Sequence, residues 1–270
     1  MELFKNLKNY NSYLRKHPFY KGLGLNIDQY DKLDKKIYRT NLERVTSNKS
    51  SIPAEIDDLI RLHFLVTSRK VTTILEFGVG KSTFIFNDAL NNNKLKHAKY
   101  IEKHLRINNT FECHSVDNIK SWINKTKKIL PKHNNVIFHH TICRMATFNS
   151  RICSLYDSLP NICPDLIYID GPDQNSVKGQ IRGISTKNID RLPMSADLLA
   201  IEHFLLPGTL IVIDGRTANA RFLMSNLQRD WSYTYSKKFD QHFFELKEPP
   251  LGKLNELQLK YCLSMNKNKF

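Results

Sequence analysis

Val71-Thr-Thr-Ile-Leu-Glu-Phe-Gly-Val-Gly80, followed by Lys81-Ser-Thr-Phe-Ile-Phe-Asn-Asp-Ala-Leu90, is the stretch that decides the fold. Apart from Glu76, its first seven residues are β-branched or apolar, and a short run of that kind reads as a buried strand. Gly78 and Gly80 break the run, and residues 82–90 read as a helix. A strand, a glycine turn and a helix open an α/β unit whose next strand runs parallel to the first.

The same alternation extends in both directions. Upstream, Ile56, Leu59, Ile60, Leu62, Leu65 and Val66 recur at helical spacing. Ser51 and Pro53 resemble the start of that helix, with Glu55 and Asp57 in its first turn. Downstream, strands are expected at 111–116, 136–141, 165–169 and 208–213, with helices at 119–130, 195–204 and 218–227. Segments 231–235 and 242–246 read as a closing pair of strands. The pattern predicts a doubly wound, Rossmann-like α/β sheet, mostly parallel with an antiparallel closing strand and helices on both faces. This domain spans 51–270, behind a basic N-terminal extension, 1–50, that ends in the polar stretch 46–53.

Composition narrows the class. At 270 residues, 41% hydrophobic and 25% charged, the chain suits one globular domain plus an extension. No run of 18 apolar residues exists, and the polar, basic N-terminus lacks the apolar stretch of a secretory signal. Five cysteines with no C-x-x-C pair argue against a disulfide framework or a zinc knuckle, so a reducing cytoplasm is expected. The net charge of +15 is concentrated in 1–49, with eleven Lys/Arg against five Asp/Glu, and in 94–133, with ten against three. These are solvated basic faces or the footprint of an anionic partner. Tyr10, Tyr13, Phe19 and Tyr20 of the extension suit either stacking on bases or anchoring it to the domain.

Ligands of open α/β sheets bind beyond the carboxyl ends of the strands. Here those ends carry Glu76, Asp117, Asp170 and Asp214, four carboxylates converging on one rim. Gly78 and Gly80 allow a sharp turn and close approach of a ligand, and Ser82 lies at the helix N-terminus that follows. Gly80-Lys-Ser82 mimics the end of a phosphate-binding loop, but Leu75 stands where that motif needs its first glycine. Thr83 likewise replaces the third glycine of a dinucleotide fingerprint. Glu76 disfavours a pyrophosphate and suits a cationic ligand, an amine or a sulfonium.

Glu76-Phe-Gly-Val-Gly80 resembles motif I of class I S-adenosylmethionine-dependent methyltransferases. Ser115-Val-Asp117 is similar to their second motif. Residues 164–172, Pro-Asp-Leu-Ile-Tyr-Ile-Asp-Gly-Pro, and 206–214, Leu-Pro-Gly-Thr-Leu-Ile-Val-Ile-Asp, resemble the fourth- and fifth-strand motifs, in the manner of small bacterial O-methyltransferases. The resemblance covers about 53–246. It implies S-adenosylmethionine bound by Glu76, Gly78, Gly80, Ser82, Asp117 and Asp170, with Asp117 on the ribose hydroxyls. Glu76 and Asp117 stand 41 residues apart, which makes Glu112 a substitute candidate and 91–109 an insertion or a longer helix. The segment 140–147, read as the loop after the third strand, offers no obvious acid for the adenine.

Methyl transfer to a hydroxyl requires alignment and removal of a proton. Two routes are open. Asp170 and Asp214 hold Mg²⁺, as strand-end acids do in catechol-type and macrolide-sugar methyltransferases. Catechol-type enzymes have an amide residue after the fifth-strand acid. Gly215 stands there, so a further ligand would come from Asn219 or Asp173. Alternatively a histidine, among His139, His140, His203 and His242, is the general base; Asp170 and His242 are the residues assigned to catalysis. The loop from Asp170 to about residue 192 carries Lys178, Arg182, Lys187 and Arg191 and reads as a lid or acceptor site, and Arg216 reads as an ion-pair partner of Asp214. The expected acceptor is a small molecule or a sugar or polysaccharide precursor. The alternatives are a nucleic-acid methyltransferase, although the [DNS]-P-P-[YFW] motif of amino-methylating enzymes is absent, and a non-catalytic Rossmann-like binding protein.

Overall fold

The computed structural model describes residues 2–24, 55–188 and 193–264. The polar stretch 46–53, the expected helix start at Ser51 and Pro53, and Arg191 lie outside them. Strands β1 (Thr73–Phe77), β2 (Glu112–Asp117), β3 (Val136–His140), β6 (Leu166–Ile169), β7 (Leu210–Asp214), β8 (Trp231–Ser236) and β9 (Gln241–Leu246) form one sheet in the order β3-β2-β1-β6-β7-β9-β8. The first five pair in parallel, whereas β9 runs antiparallel to both β7 and β8. This is the expected doubly wound sheet with its antiparallel closing strand. From β1 the chain winds outward to β2 and β3 and then returns to β6 on the other side, and this reversal of strand order between β1 and β6 creates the switch point where such sheets bind ligands.

The strands alternate their side chains between two cores. Ile74, Cys113, Tyr168, Val212 and Phe243 pack under α2 (Ile56–Ser68) and α3 (Lys81–His104). Leu75, Phe77, Val116, Ile169 and Ile213 pack against α5 (Asp197–Ile201) and α6 (Thr217–Met224) on the other face. α3 is 24 residues long, about 36 Å. Segment 91–109 is therefore largely a continuation of that helix, and this accounts for the wide spacing between Glu76 and Asp117. α4 (Lys120–Ile129) links β2 to β3.

Two elements differ from expectation. The segment after β3 is not a loop but a β-hairpin, β4 (Cys143–Phe148) and β5 (Arg151–Tyr156). Asn149 and Ser150 both adopt positive φ (47° and 63°), the geometry of a two-residue primed turn matched to strand twist. Lys178 of the long loop pairs with Arg144 on β4, and Ser195 pairs with Ser154 on β5, so the hairpin staples both ends of that loop. A C-terminal helix, α7 (Lys253–Leu263), closes the chain at the foot of the sheet, where Asn255 donates to the Pro207 carbonyl.

Residues 2–24 spend their aromatic side chains on the domain. α1 (Tyr10–Lys16) is capped by Asn9, whose side chain accepts from the Ser12 amide at 2.9 Å. The Tyr13 hydroxyl meets His63 Nδ1 at 2.7 Å, Tyr10 accepts from Arg61, and Phe19 stacks on His63 at 4.8 Å. Leu14 is fully buried in the α2/α3 core. Leu14→Ala is expected to cost about 2–4 kcal/mol in urea unfolding; an unchanged midpoint would mean that the segment is a loose arm.

Candidate active site

The rim is built around Glu76. Its side chain is 0% exposed and accepts hydroxyl hydrogen bonds from Ser82 (2.6 Å), Thr83 (2.7 Å) and Ser115 (2.6 Å). Ser82 and Thr83 open α3 and Ser115 sits on β2, so one carboxylate ties three elements together. Burial pushes its pKa up to about 7 and the three hydroxyls pull against that. Both oxygens are engaged inside the protein, where Glu76 holds the turn, and Ser82 is engaged with it. Thr83 and Ser115 went unread in the sequence because their partnership exists only after folding.

The two turn glycines do different work. Gly78 has φ +92°, and a Cβ there would stand 3.0 Å from the Asp170 backbone. A Cβ on Gly171 would stand 2.7 Å from the Gly78 amide nitrogen. The backbones that end β1 and β6 therefore cross in contact, and Gly78 is required by packing. Gly80 is extended, and a Cβ placed on it meets nothing within 4 Å. This leaves open space at the N-terminus of α3, where helix amides are unpaired. The Gly80 amide itself donates to Thr83 Oγ1 at 3.0 Å.

Asp117 stands beside this space. It accepts from the Val79 amide at 3.1 Å and the Ile119 amide at 2.7 Å, and burial lifts its pKa to about 6. Glu112, the substitute candidate, lies at the opposite end of β2 and meets His114 at 3.0 Å, away from the rim.

On the other half of the rim, the Asp170 side chain is 56% exposed and faces Arg216 Nε at 3.5 Å. Arg216 also donates to the backbone carbonyls of Asp170 (2.5 Å) and Pro172 (3.0 Å). Its partner is thus Asp170, not the adjacent Asp214 of the expectation, because the chain turns at Gly215 and carries the guanidinium back over the end of β6. Asp214 accepts from the Tyr168 hydroxyl at 3.0 Å and stands opposite Gln241 in the sheet register. Burial and the charge of Asp170 raise its pKa. Gln241 reaches in turn to Arg61 (3.3 Å) and Asp58 (3.3 Å), and the buried Arg61 guanidinium pairs with Asp57 and Asp58 and stacks over Phe239 at 3.8 Å.

The other assigned groups are placed as follows. His242 is 1% exposed, with Nε2 at 3.1 Å from Thr217 Oγ1 and Nδ1 at 2.9 Å from the Tyr233 hydroxyl, so neither ring nitrogen is free for an acceptor. Burial lowers its pKa. His139 meets His114 at 3.1 Å on the sheet edge, and His203 lies on the 3₁₀ turn after α5. Asn219 is fully buried and accepts from the Ser195 amide, and Asp173 caps Asn175 within the loop. Among the described residues, the one acidic trio close enough to share an ion is Glu55, Asp57 and Asp58.

Folding favours the protonated form of Glu76, whose folded pKa lies above its unfolded one. Its contribution is therefore present below about 4.5 and is lost as pH rises through about 7, a difference of roughly 3 kcal/mol. Glu76→Gln is expected to remove that share of the pH slope in urea unfolding measured from mildly acid to neutral pH. An identical slope would show the carboxylate charged throughout.

No family model matches the chain, and no curated protein matches it. Among solved structures, the TDP-rhamnose 3′-O-methyltransferase of calicheamicin biosynthesis aligns with 79% of this chain and 94% of its own, at 12% identity and a TM-score of 0.42. The O-methyltransferase TomG from Streptomyces achromogenes, involved in tomaymycin synthesis and in complex with S-adenosylmethionine, aligns over 89% and 99%, at 11% identity and 0.40. The Bacillus cereus O-methyltransferase, in complex with S-adenosylhomocysteine, aligns over 89% and 100%, at 9% identity and 0.40. Likenesses at this level bear on nothing beyond the fold, and the fold rests on the strand order itself. By that order, and by the reversed strand between the fifth and sixth strands of the main sheet, the chain has a doubly wound Rossmann-like fold.

Proposed function

We propose that the chain transfers the methyl group of S-adenosylmethionine to a hydroxyl of a small-molecule or sugar acceptor. The observation that carries this reading is the open space at Gly80, between the start of α3 and the Asp117 carboxylate. The cradle suits a nucleoside whose ribose hydroxyls donate to Asp117. It suits a phosphate poorly, because the loop is short and a buried carboxylate lies directly beneath it.

The bound sulfonium supplies an electrophilic methyl group, leaving as the thioether when the acceptor oxygen attacks. The protein's share is alignment and proton removal. Gly80 and Asp117 hold the nucleoside half. Asp170 and Asp214 line the acceptor half, and Asp214, kept basic by burial and by Asp170, is the carboxylate placed to take the hydroxyl proton. Mg²⁺ fits this donor set badly. Arg216 already stands against Asp170, Tyr168 holds Asp214, and no third acidic ligand lies within reach among the described residues. No step is assigned to a metal.

Charge placement favours a small acceptor over a nucleic acid. The exposed lysines 94, 96, 99 and 103 lie on the half of α3 remote from the rim, whereas Asp57, Asp58, Asp170 and Asp214 gather around the acceptor half. Among the described residues no helix is long and apolar enough to cross a membrane. With the cysteine pattern, this supports a cytoplasmic enzyme.

Calorimetric titration with S-adenosylhomocysteine should show binding to the wild type. Gly80→Val should keep the wild-type Tm and lose that binding, since the added side chain fills only open space. Full affinity in folded Gly80→Val would sink the assignment. Gly78→Val should instead destabilise the fold itself by about 2 kcal/mol or more, from positive φ and backbone contact.

A further inference from the structure

β5 ends at Tyr156, packed against the end of β1. The Tyr156 ring is 6% exposed and stacks on Phe77, the residue before Gly78, with centroids 5.7 Å apart and planes 29° apart. Its backbone is fixed on both sides, by pairing with Cys143 and by the amide donating to Asp197 Oδ1 at 3.0 Å. The hydroxyl, by contrast, is buried with no hydrogen-bond partner. Two other buried hydroxyls among the described residues share that condition, Ser154 and Ser236. Ser154 stands beside the Cys143 thiol and Ser236 ends the edge strand β8; neither touches the residue that leads into the glycine turn.

A buried hydroxyl without a partner costs about 1–3 kcal/mol, and phenylalanine would fill the same space without that cost. Its stacking on Phe77 sets the ring beside the start of the glycine turn. Burial, Cys143, Asp117 and Asp197 push its pKa up, and Arg216 pulls against them. Burial keeps the phenol protonated, so it is a donor in search of an acceptor atom.

We propose that the Tyr156 hydroxyl is a cofactor-binding group, donating a hydrogen bond to an acceptor atom of the nucleoside cofactor seated over the Gly78–Gly80 turn. This rests on the methyltransferase reading above. The missing partner belongs to the ligand, and the apo protein carries the cost of the unpaired donor in advance.

The test is titration of full-length wild type and Tyr156→Phe with S-adenosylhomocysteine, alongside thermal unfolding of both without ligand. Tyr156→Phe should unfold at the wild-type Tm or above it and bind S-adenosylhomocysteine roughly 5- to 20-fold more weakly, as expected for one neutral hydrogen bond lost from a buried site. Affinity within twofold of wild type would overturn the proposal, and so would a lower Tm in the absence of ligand, because the hydroxyl would then have a partner inside the protein. A wild type that ignores S-adenosylhomocysteine would overturn the methyltransferase reading itself, which the variant comparison alone does not.

Discussion

Three hydroxyl groups converge on the Glu76 carboxylate from the start of α3 and from β2, in a fully buried place. A buried carboxylate is tolerated only when it is protonated or fully hydrogen-bonded, and Glu76 draws on both. The consequence is geometric. Because Ser82 and Thr83 are held down onto β1, the helix must begin at Lys81, and Gly80 is left extended with open space above it. Because Ser115 is held to the same carboxylate, the end of β2 is brought level with the turn, where Asp117 takes the Val79 amide. The ligand space is thus the outer surface of an internal hydrogen-bond cluster.

This arrangement explains which parts of the protein were legible in the sequence. The β1 run, the glycine turn and an acid at the end of each central strand are local signals, and the structure realises them as a parallel sheet with its reversed closing strand. The β4–β5 hairpin was missed although its signal was present. Asn149-Ser150 separates two six-residue runs, and both residues belong to the types that accept positive φ. α7 went unread because a short helix of mixed polarity gains its place from contacts at the foot of the sheet rather than from a strong period of its own.

The site was legible only as residue types at strand ends. The sequence placed Glu76 at the turn, and folding turned it inward. It placed Arg216 beside Asp214, and folding carried it to Asp170. His242 was read as a free base, and the structure gives both its ring nitrogens to hydroxyls from α6 and β8. In each case the local pattern fixes position along the chain, whereas the partner depends on the turn that follows or on a strand far away in sequence. Tyr156 gave no sequence signal at all, since its meaning lies in a missing partner.

The acceptor half of the rim depends on another set of distant contacts. Tyr10, near the N-terminus, reaches Arg61 on α2; Arg61 reaches Gln241 at the start of β9; and Gln241 stands opposite Asp214 at the end of β7. Arg61 is almost wholly buried, so its charge must be met locally, and Asp57 and Asp58 meet it. With one cation against two carboxylates the cluster keeps a net negative charge, and Gln241 stands between it and Asp214, so that no cation lies directly against that carboxylate. A direct cation would stabilise the charged carboxylate and weaken it as a base. The neutral Gln241 amide stands between Arg61 and Asp214, leaving burial and Asp170 to keep its proton affinity high. The contacts that dock 2–24 onto the domain therefore run on through Arg61 and Gln241 to the strand end that carries Asp214.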